Sequence, residues 1–350
     1  MIRASVVLLL AAAPACAQPP GDNGTLTAID GLRVGHHTLA ERPTGCTVIL
    51  VDGNAVAGVA QRGSAPGTRD TDLLQPTSGA DGVNAVVLSG GSAYGLDAAN
   101  GVMRWLDERP GGWFTRGTDV PIVSSAVLID LWVGGKPSIR PGADCGYRAA
   151  SAASRAPVGE GSVGAGAGAT VGKLTGLDRA MKGGVGSAAI ALPSGLRVAA
   201  LVAVNALGDI IDPATGAVVA GARGDDGSLV DVRKLLRSGG TLQRTRVGDN
   251  TTLGVVATNA RLTKAEANRV ALMADAGIAR AVTPAHTSAD GDTVFALATG
   301  QWNGRGDVTL VGALAADVLA EAIVRAVKQA TAVAGVPAAR DLRTSGSPRP

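Results

Sequence analysis

The chain has 350 residues and a formal net charge of +3, with only four Trp, two Tyr and two Phe residues. The absence of a long basic run and the scarcity of rings for base stacking argue against nucleic-acid binding. The length suits one large domain or two smaller ones, and after the first residues no apolar stretch is long and clean enough for a membrane helix.

The first residues predict an export signal. Arg3 gives a short basic start, an apolar run follows over 5–13, and Ala15-Cys16-Ala17 forms a small-x-small cleavage site. The segment is too short to remain as a membrane anchor. We therefore expect residues 1–17 to be removed and the mature chain to be periplasmic or secreted, without membrane contact. Lipid attachment at Cys16 is the weaker alternative, because its sequence context is poor.

Alternating apolar residues predict a series of strands and helices in the first half of the mature chain. In chain order, we expect strands at 25–34, 47–51 and 54–62, a loop at 64–77, a strand at 85–88, a helix at 94–109, a loop at 111–119 and a helix at 143–156. The apolar segment 120–132 is compatible with either a helix or a strand.

The second half begins with a glycine-rich passage at 161–176 and continues with further strands and helices. We expect paired strands at 184–192 and 197–205, an exposed polar linker at 221–248, a strand at 251–259, a helix at 263–283, a strand at 293–299, a helix at 308–334 and a frayed tail from about 338. Thr263 and Glu266 form a capping box. Strands with amphipathic helices favour a layered α/β or α+β sandwich.

Cysteine and histidine spacing gives little evidence of metal or cofactor binding. Cys46 and Cys145 remain after signal removal, and an exported compartment permits a disulfide between them. Two buried thiols are an equally good interpretation. Because these cysteines and His36, His37 and His286 lack the spacing of metal ligands, we expect neither metal nor cofactor. We interpret all three histidines as non-catalytic.

Candidate chemistry lies at three places. Thr251 follows the polar linker and opens an apolar strand, although threonine is common in strands for structural reasons. Asp290 and Asp292 share one face of an extended segment and can couple electrostatically, although Asp-Gly also marks turns. Lys173 lies near the end of the glycine-rich passage, where it is either a positioned cation or a solvated lysine; the passage lacks the spacing of a phosphate loop.

Six segments, in order, make the chain resemble the P1 peptidase family of β-aminopeptidases, D-esterase/L-aminopeptidases and nylon-oligomer endo-hydrolases. They are RGSAPGTRDTDLL at 62–74, VLSGGSAYGLDAANGV at 87–102, GSVGAGAGATVGK at 161–173, LVAVNALGDIID at 201–212, DNTTLGVVATNARLTKAEANRVA at 249–271 and HTSADGDTVFALATG at 286–300. The Asn-Thr junction and Asp-Gly-Asp resemble the nylon-hydrolase branch.

The resemblance implies a four-layer αββα sandwich that cuts itself between Asn250 and Thr251. The products would be a large chain, 18–250, and a small chain, 251–350, assembled as a homo-oligomer, a tetramer of cleaved protomers. The family pattern makes Thr251 the nucleophile. It also places five further residues at the active site: Tyr94, Lys173, Asn205, Asp290 and Asp292.

A free N-terminal threonine would carry its own base, because an α-amino group has a pKa of about 7.7–8.0. In the precursor that nitrogen is part of a peptide bond, so the uncut chain should be inactive. We expect a self-processing hydrolase that cleaves amide bonds of small peptides or ω-amino-acid oligomers. The alternatives are a dedicated aminopeptidase, an acyltransferase of the same fold and a non-catalytic periplasmic binding protein.

Overall fold

The computed structural model describes residues 23–80, 82–109, 113–115, 118–240, 249–304 and 306–342. The predicted signal segment and residues 241–248 of the predicted linker lie outside these ranges. The strands are β1 Leu32–Thr38, β2 Gly45–Gln61, β3 Gly67–Arg69, β4 Gly82–Ser89, β5 Trp113–Thr115, β6 Thr118–Val120, β7 Val123–Val127, β8 Thr170–Val171, β9 Met181–Lys182, β10 Gly184–Ala191, β11 Arg197–Asn205, β12 Asp209–Ile211, β13 Val218–Ala220, β14 Thr251–Thr258, β15 Val282–Thr283 and β16 Thr293–Ala298. The α-helices are α1 Ala98–Asp107, α2 Ala143–Ser151, α3 Val232–Arg237, α4 Lys264–Ala274, α5 Ala276–Ala281 and α6 Val308–Gln329.

A nine-stranded mixed sheet organises the chain. Its order is β10-β11-β14-β16-β2-β4-β7-β3, and β1 pairs with β2. Most neighbours are antiparallel, but β14 runs parallel to β16 and β4 runs parallel to β7. The 17-residue strand β2 pairs with β4 and β1 through its first part and with β16 through its last part, so it belongs to both halves of the sheet.

Three apolar clusters separate four layers, which gives the expected αββα sandwich. The first cluster packs α1 and α2 against β2 and β4, and the second lies between the two halves of the sheet. The third packs α4, α5 and α6 against the other half. Strand alternation produces this division. In β11, for example, Leu201 and Ala203 face the inner cluster, whereas Val202 and Val204 face the helices.

Most predicted elements are present, with differences at their boundaries. The segment 120–132 contains strand β7, and the strands predicted at 47–51 and 54–62 are one continuous strand. The prediction of a strand from residue 25 is wrong, because Leu26–Ala28 form a 3₁₀ turn before β1. The helix predicted at 263–283 divides at Asp275 into α4 and α5, while its capping box is confirmed.

Polar segments are more ordered than the sequence suggests. The predicted linker contains α3, which Asp231 caps by accepting a hydrogen bond from the Arg233 amide. A hairpin, β5–β6, occupies part of the loop predicted at 111–119. The predicted tail begins with a 3₁₀ turn at Ala339–Asp341, and its last eight residues lie outside the described ranges.

A disulfide resolves the open question about the two cysteines. Cys46 on β2 is bonded to Cys145 on α2, across the cluster between the first helical layer and the sheet. Within the described residues, no helix is both long and apolar enough to cross a membrane.

Candidate active site

Thr251 is the first residue of β14 and lies in the middle of the large sheet. Its register partner on the adjacent strand β11 is Asn205. The preceding residue, Asn250, forms a β-bridge with Asp290 just before β16. Asn250, Thr251, Asn205 and Asp290 are all buried. Because the ends of three adjacent segments meet here, residues distant in sequence surround one peptide bond.

The carbonyl of Asn250 receives two hydrogen bonds in the uncut chain. The Thr251 hydroxyl donates to this oxygen over 2.5 Å, and the Gly291 amide donates to it over 2.8 Å. A side chain on Gly291 would displace its neighbours, since an added Cβ would lie 2.8 Å from Thr251 Oγ1 and 2.6 Å from the Ala65 carbonyl oxygen. A hydroxyl and a backbone donor thus flank the carbonyl at which the family would cut.

A loop after β2 holds the Asp-Gly-Asp segment in place. The Gly63 amide donates to the Asp292 carbonyl over 3.3 Å, and the Ala65 amide donates to the Asp290 carbonyl over 3.0 Å. A Cβ on Gly63 would lie 2.3 Å from the Asp292 nitrogen, so only glycine permits this approach. The RGSAP sequence therefore positions the two acids.

The two aspartates have different environments. Asp292 accepts a 2.7 Å hydrogen bond from the Thr252 amide, one residue after Thr251. Asp290 accepts bonds from the Thr287 amide and hydroxyl, at 2.7 and 2.6 Å. Burial, followed by the nearby Asp292 charge, raises the pKa of Asp290. The raised pKa of Asp290 agrees with the predicted electrostatic coupling between the two acids.

Lys173 and Asn205 contact the backbone carbonyl of Asp249, the residue before the Asn250–Thr251 junction. Lys173 Nζ donates to the Asn205 carbonyl (3.0 Å), to Asn205 Oδ1 (3.1 Å) and to the Asp249 carbonyl (3.3 Å). Asn205 Nδ2 donates to the Ile129 carbonyl over 3.0 Å. Burial lowers the pKa of Lys173 to about 7. The alternative of a solvated lysine is wrong, because this side chain is fully buried.

His286 is a member of this site that the sequence interpretation missed. Its Nδ1 lies 2.9 Å from Asp292 Oδ2, and its Nε2 lies 3.1 Å from Asp275 Oδ2. The contacts with Asp275 and then Asp292 raise the pKa of His286 to about 10, against the effect of burial. A protonated histidine is not a base at neutral pH. The available signal was the position of His286 on the same short loop as the two acids.

Tyr94 is not brought into contact with these groups. It lies on a 3₁₀ turn, Ser92–Asp97, with 61% of its surface exposed, and the Arg140 guanidinium stacks on its ring at 3.6 Å. Its part in the pocket stays a prediction. In the described part of the chain, no group of three or more His, Cys, Asp or Glu side chains is arranged to hold a metal ion.

Known proteins share this sequence and fold. The model of Peptidase family S58 matches residues 24–340. An uncharacterized aminopeptidase of Mycobacterium leprae is 45% identical, covering 89% of this chain and 92% of its own. A 6-aminohexanoate-oligomer endohydrolase of Kocuria sp. is 32% identical, covering 85% and 84%.

A solved structure extends the likeness to the fold. The L-aminopeptidase D-Ala-esterase/amidase from Ochrobactrum anthropi, described as a variant of the Ntn hydrolase fold, aligns with a TM-score of 0.66 at 21% identity, over 88% of this chain and 86% of its own. The family match, the two relatives and the geometry around Thr251 agree, and the chain belongs to peptidase family S58.

Proposed function

We propose that the protein is a self-processing amide-bond hydrolase that cuts itself between Asn250 and Thr251 and then uses Thr251 as its nucleophile. The main support for this proposal is the arrangement at the Asn250 carbonyl, where the Thr251 hydroxyl and the Gly291 amide both donate to one oxygen. The relatives named as aminopeptidase and as oligomer endohydrolase support the same reaction class.

Maturation follows from this arrangement as an N-to-O acyl shift. Thr251 Oγ1 attacks the Asn250 carbonyl carbon, and the Gly291 amide stabilises the negative charge that develops on oxygen. The carbon–nitrogen bond breaks and the nitrogen takes up the hydroxyl proton, which leaves an ester. The Thr251 amine is free after this step, and water then hydrolyses the ester to give the Asn250 carboxylate and the regenerated Thr251 hydroxyl.

Turnover repeats the chemistry on an external amide. The free amine of Thr251 accepts the hydroxyl proton as Oγ1 attacks the substrate carbonyl carbon. The proton passes to the leaving nitrogen as the substrate carbon–nitrogen bond breaks, and water then hydrolyses the ester on Thr251 to release the acid product. Departure of the Asn250 end frees the Gly291 amide, and departure of the Asp249 carbonyl frees donors on Lys173 and Asn205. The Gly291 amide can then bind the oxygen of the attacked substrate carbonyl, and the donors on Lys173 and Asn205 can bind a second acceptor on the substrate.

The substrate class we propose is small peptides or ω-amino-acid oligomers. The relatives divide between proteins named aminopeptidases and proteins named 6-aminohexanoate-oligomer endohydrolases. Both classes of substrate contain amide bonds in a short, flexible chain. Release of a single terminal residue would identify an aminopeptidase, whereas shorter oligomers as first products would identify an endo-amidase.

We also propose that the mature protein is exported and forms a homo-oligomer of cleaved protomers. The apolar segment at 5–13 and the Cys46–Cys145 disulfide support export, because disulfides persist in oxidising compartments. Mass analysis of periplasmic and cytoplasmic fractions tests the location, and light scattering of the cleaved protein tests the assembly.

The decisive experiment is intact mass spectrometry with N-terminal sequencing after incubation at neutral pH. We expect two chains, the smaller beginning Thr-Thr-Leu-Gly. Thr251→Ala should remain a single chain without amidase activity, whereas the exposed Thr331→Ala should mature normally. A single chain from the wild type under all conditions would favour a binding protein, and a cut, active Thr251→Ala would refute the proposed nucleophile.

A further inference from the structure

A series of polar contacts connects the Thr252 amide, through Asp292 and His286, to Asp275 in the helical layer. The Thr252 amide donates to Asp292 Oδ1, and Asp292 Oδ2 accepts from the His286 amide over 3.2 Å. The same Oδ2 lies 2.9 Å from His286 Nδ1, and His286 Nε2 lies 3.1 Å from Asp275 Oδ2. Asp275 is buried at the junction of α4 and α5. These contacts therefore connect the nucleophile strand to a fixed helical element.

The backbone at His286 is arranged for this contact. Its φ is +54°, the left-handed region that residues other than glycine rarely adopt. In this conformation the His286 amide donates to Asp292 Oδ2, and the ring nitrogen Nδ1 lies 2.9 Å from the same oxygen.

The protonation state of His286 follows from its two partners. Each ring nitrogen lies within 3.1 Å of a carboxylate oxygen, and only the doubly protonated ring has an N–H at both nitrogens and a positive charge between the two acids. A neutral ring would leave an unprotonated nitrogen beside one of the carboxylates. The charged groups acting on His286 are Asp275 and Asp292, and Asp290 and Lys173 are further charged groups of the site. Asp249, Lys182 and Asp130 act in turn on Lys173.

We infer that His286, anchored by Asp275, is a positioning residue that fixes Asp292 against the Thr252 amide and balances the negative charge of the Asp290–Asp292 pair. This inference rests on the proposed self-cleavage, which supplies the measured reaction. His286 acts through Asp292 and makes no described contact with Thr251 or with the Asn250 carbonyl.

The inference predicts a specific change in the pH dependence of self-cleavage. Without the imidazolium, Asp290 loses a nearby compensating charge and keeps its proton to higher pH. The acidic limb of the cleavage rate should therefore move upward by about one pH unit or more. The maximal rate should fall by up to about 100-fold, because the junction is held less accurately.

Chemical rescue distinguishes this role from a purely structural one. His286→Gly accepts the positive φ without strain and leaves space for added imidazole, since the histidine side chain is 23% exposed. We expect imidazole to restore cleavage of the purified uncut variant below pH 7, where it is cationic. His37→Asn, which changes a histidine on β1, should leave rate and pH profile unaltered.

The measurement is the rate of appearance of the Thr251 N-terminus between pH 5 and 9, with circular dichroism to verify folding. A folded His286→Gly that cuts at the wild-type rate with the wild-type profile would overturn the inference. So would a slow variant with an unshifted profile that imidazole does not rescue.

If His286→Gly does not fold, Asp275→Asn decides the matter, because it removes only the anchor. We expect a smaller shift of the acidic limb in the same direction, and an unchanged profile in the folded variant would contradict the inference. A wild-type chain that never cuts would instead count against the proposed function. The two failures are thus distinguishable within one series of samples.

Discussion

Gly291→Ala tests the proposed donor to the reacting carbonyl. Alanine is compatible with the backbone here, because the φ of Gly291 is not positive. The added Cβ would lie 2.6 Å from the Ala65 carbonyl oxygen and 2.8 Å from Thr251 Oγ1. Since ordinary contact begins at 3.4 Å, these atoms must separate by about 0.8 and 0.6 Å.

That displacement removes the 2.8 Å hydrogen bond from the Gly291 amide to the Asn250 carbonyl or lengthens it beyond useful range. Loss of one such donor costs about 2.7–4 kcal/mol of transition-state stabilisation, or about 100- to 1000-fold in rate. We therefore expect Gly291→Ala to fold and to mature about 100- to 1000-fold more slowly than the wild type.

The assay is a time course of self-cleavage by intact mass spectrometry, together with thermal unfolding of the uncut protein. Gly79→Ala is the matched control, because an added Cβ at this exposed glycine meets nothing within 4 Å. A folded Gly291→Ala that cuts within about threefold of the wild-type rate would refute the oxyanion role of this amide.

Three further predictions concern the site and its scaffold. Asp292→Asn should slow maturation about 100-fold, because the acceptor of the Thr252 amide loses its charge; cleavage at the normal rate in a time course would remove Asp292 from the scheme. The folded-state pKa of Lys173 is lowered to about 7, so the unfolded chain takes up this proton first and stability is lost as pH falls from about 10.5 towards 7. Lys173→Met in the uncut Thr251→Ala background should weaken this pH dependence in denaturant titrations, and an identical slope would contradict the lowered pKa. Replacing Cys46 and Cys145 by alanine should lower the free energy of unfolding by about 2–5 kcal/mol, because the disulfide closes a loop across 99 positions; an unchanged midpoint of thermal unfolding would show that the bond is not formed.

Periodic and capped elements were predictable from the sequence. Strands β10 and β11, helix α4 with its capping box and helix α6 all occur where apolar periodicity or cap residues indicated them. Their boundaries were less accurate, because tertiary contacts decide where an element ends. Asp275, for example, divides one apolar helical pattern into two helices and directs its carboxylate at His286.

The candidate site was only partly predictable. The family motifs indicated Thr251, Lys173, Asn205 and the two aspartates, and the structure brings these groups around one junction. The roles of Gly291 and His286 depend on distances that a single sequence does not reveal. Glycine in an Asp-Gly-Asp turn and histidine in a polar loop both have ordinary structural explanations, which only their contacts exclude.

The sheet order has a consequence for the life of the mature protein. A cut before Thr251 would leave β14 and β16 in the small chain, inserted between β11 and β2 of the large chain, with α6 packed on β10 and β11. Neither product would then carry enough sequence to complete the sheet alone. Unfolding would become dissociation, and recovery would require two chains to meet. The mature protein would therefore fold once as a single polypeptide, and its lifetime thereafter would be set by how slowly it comes apart.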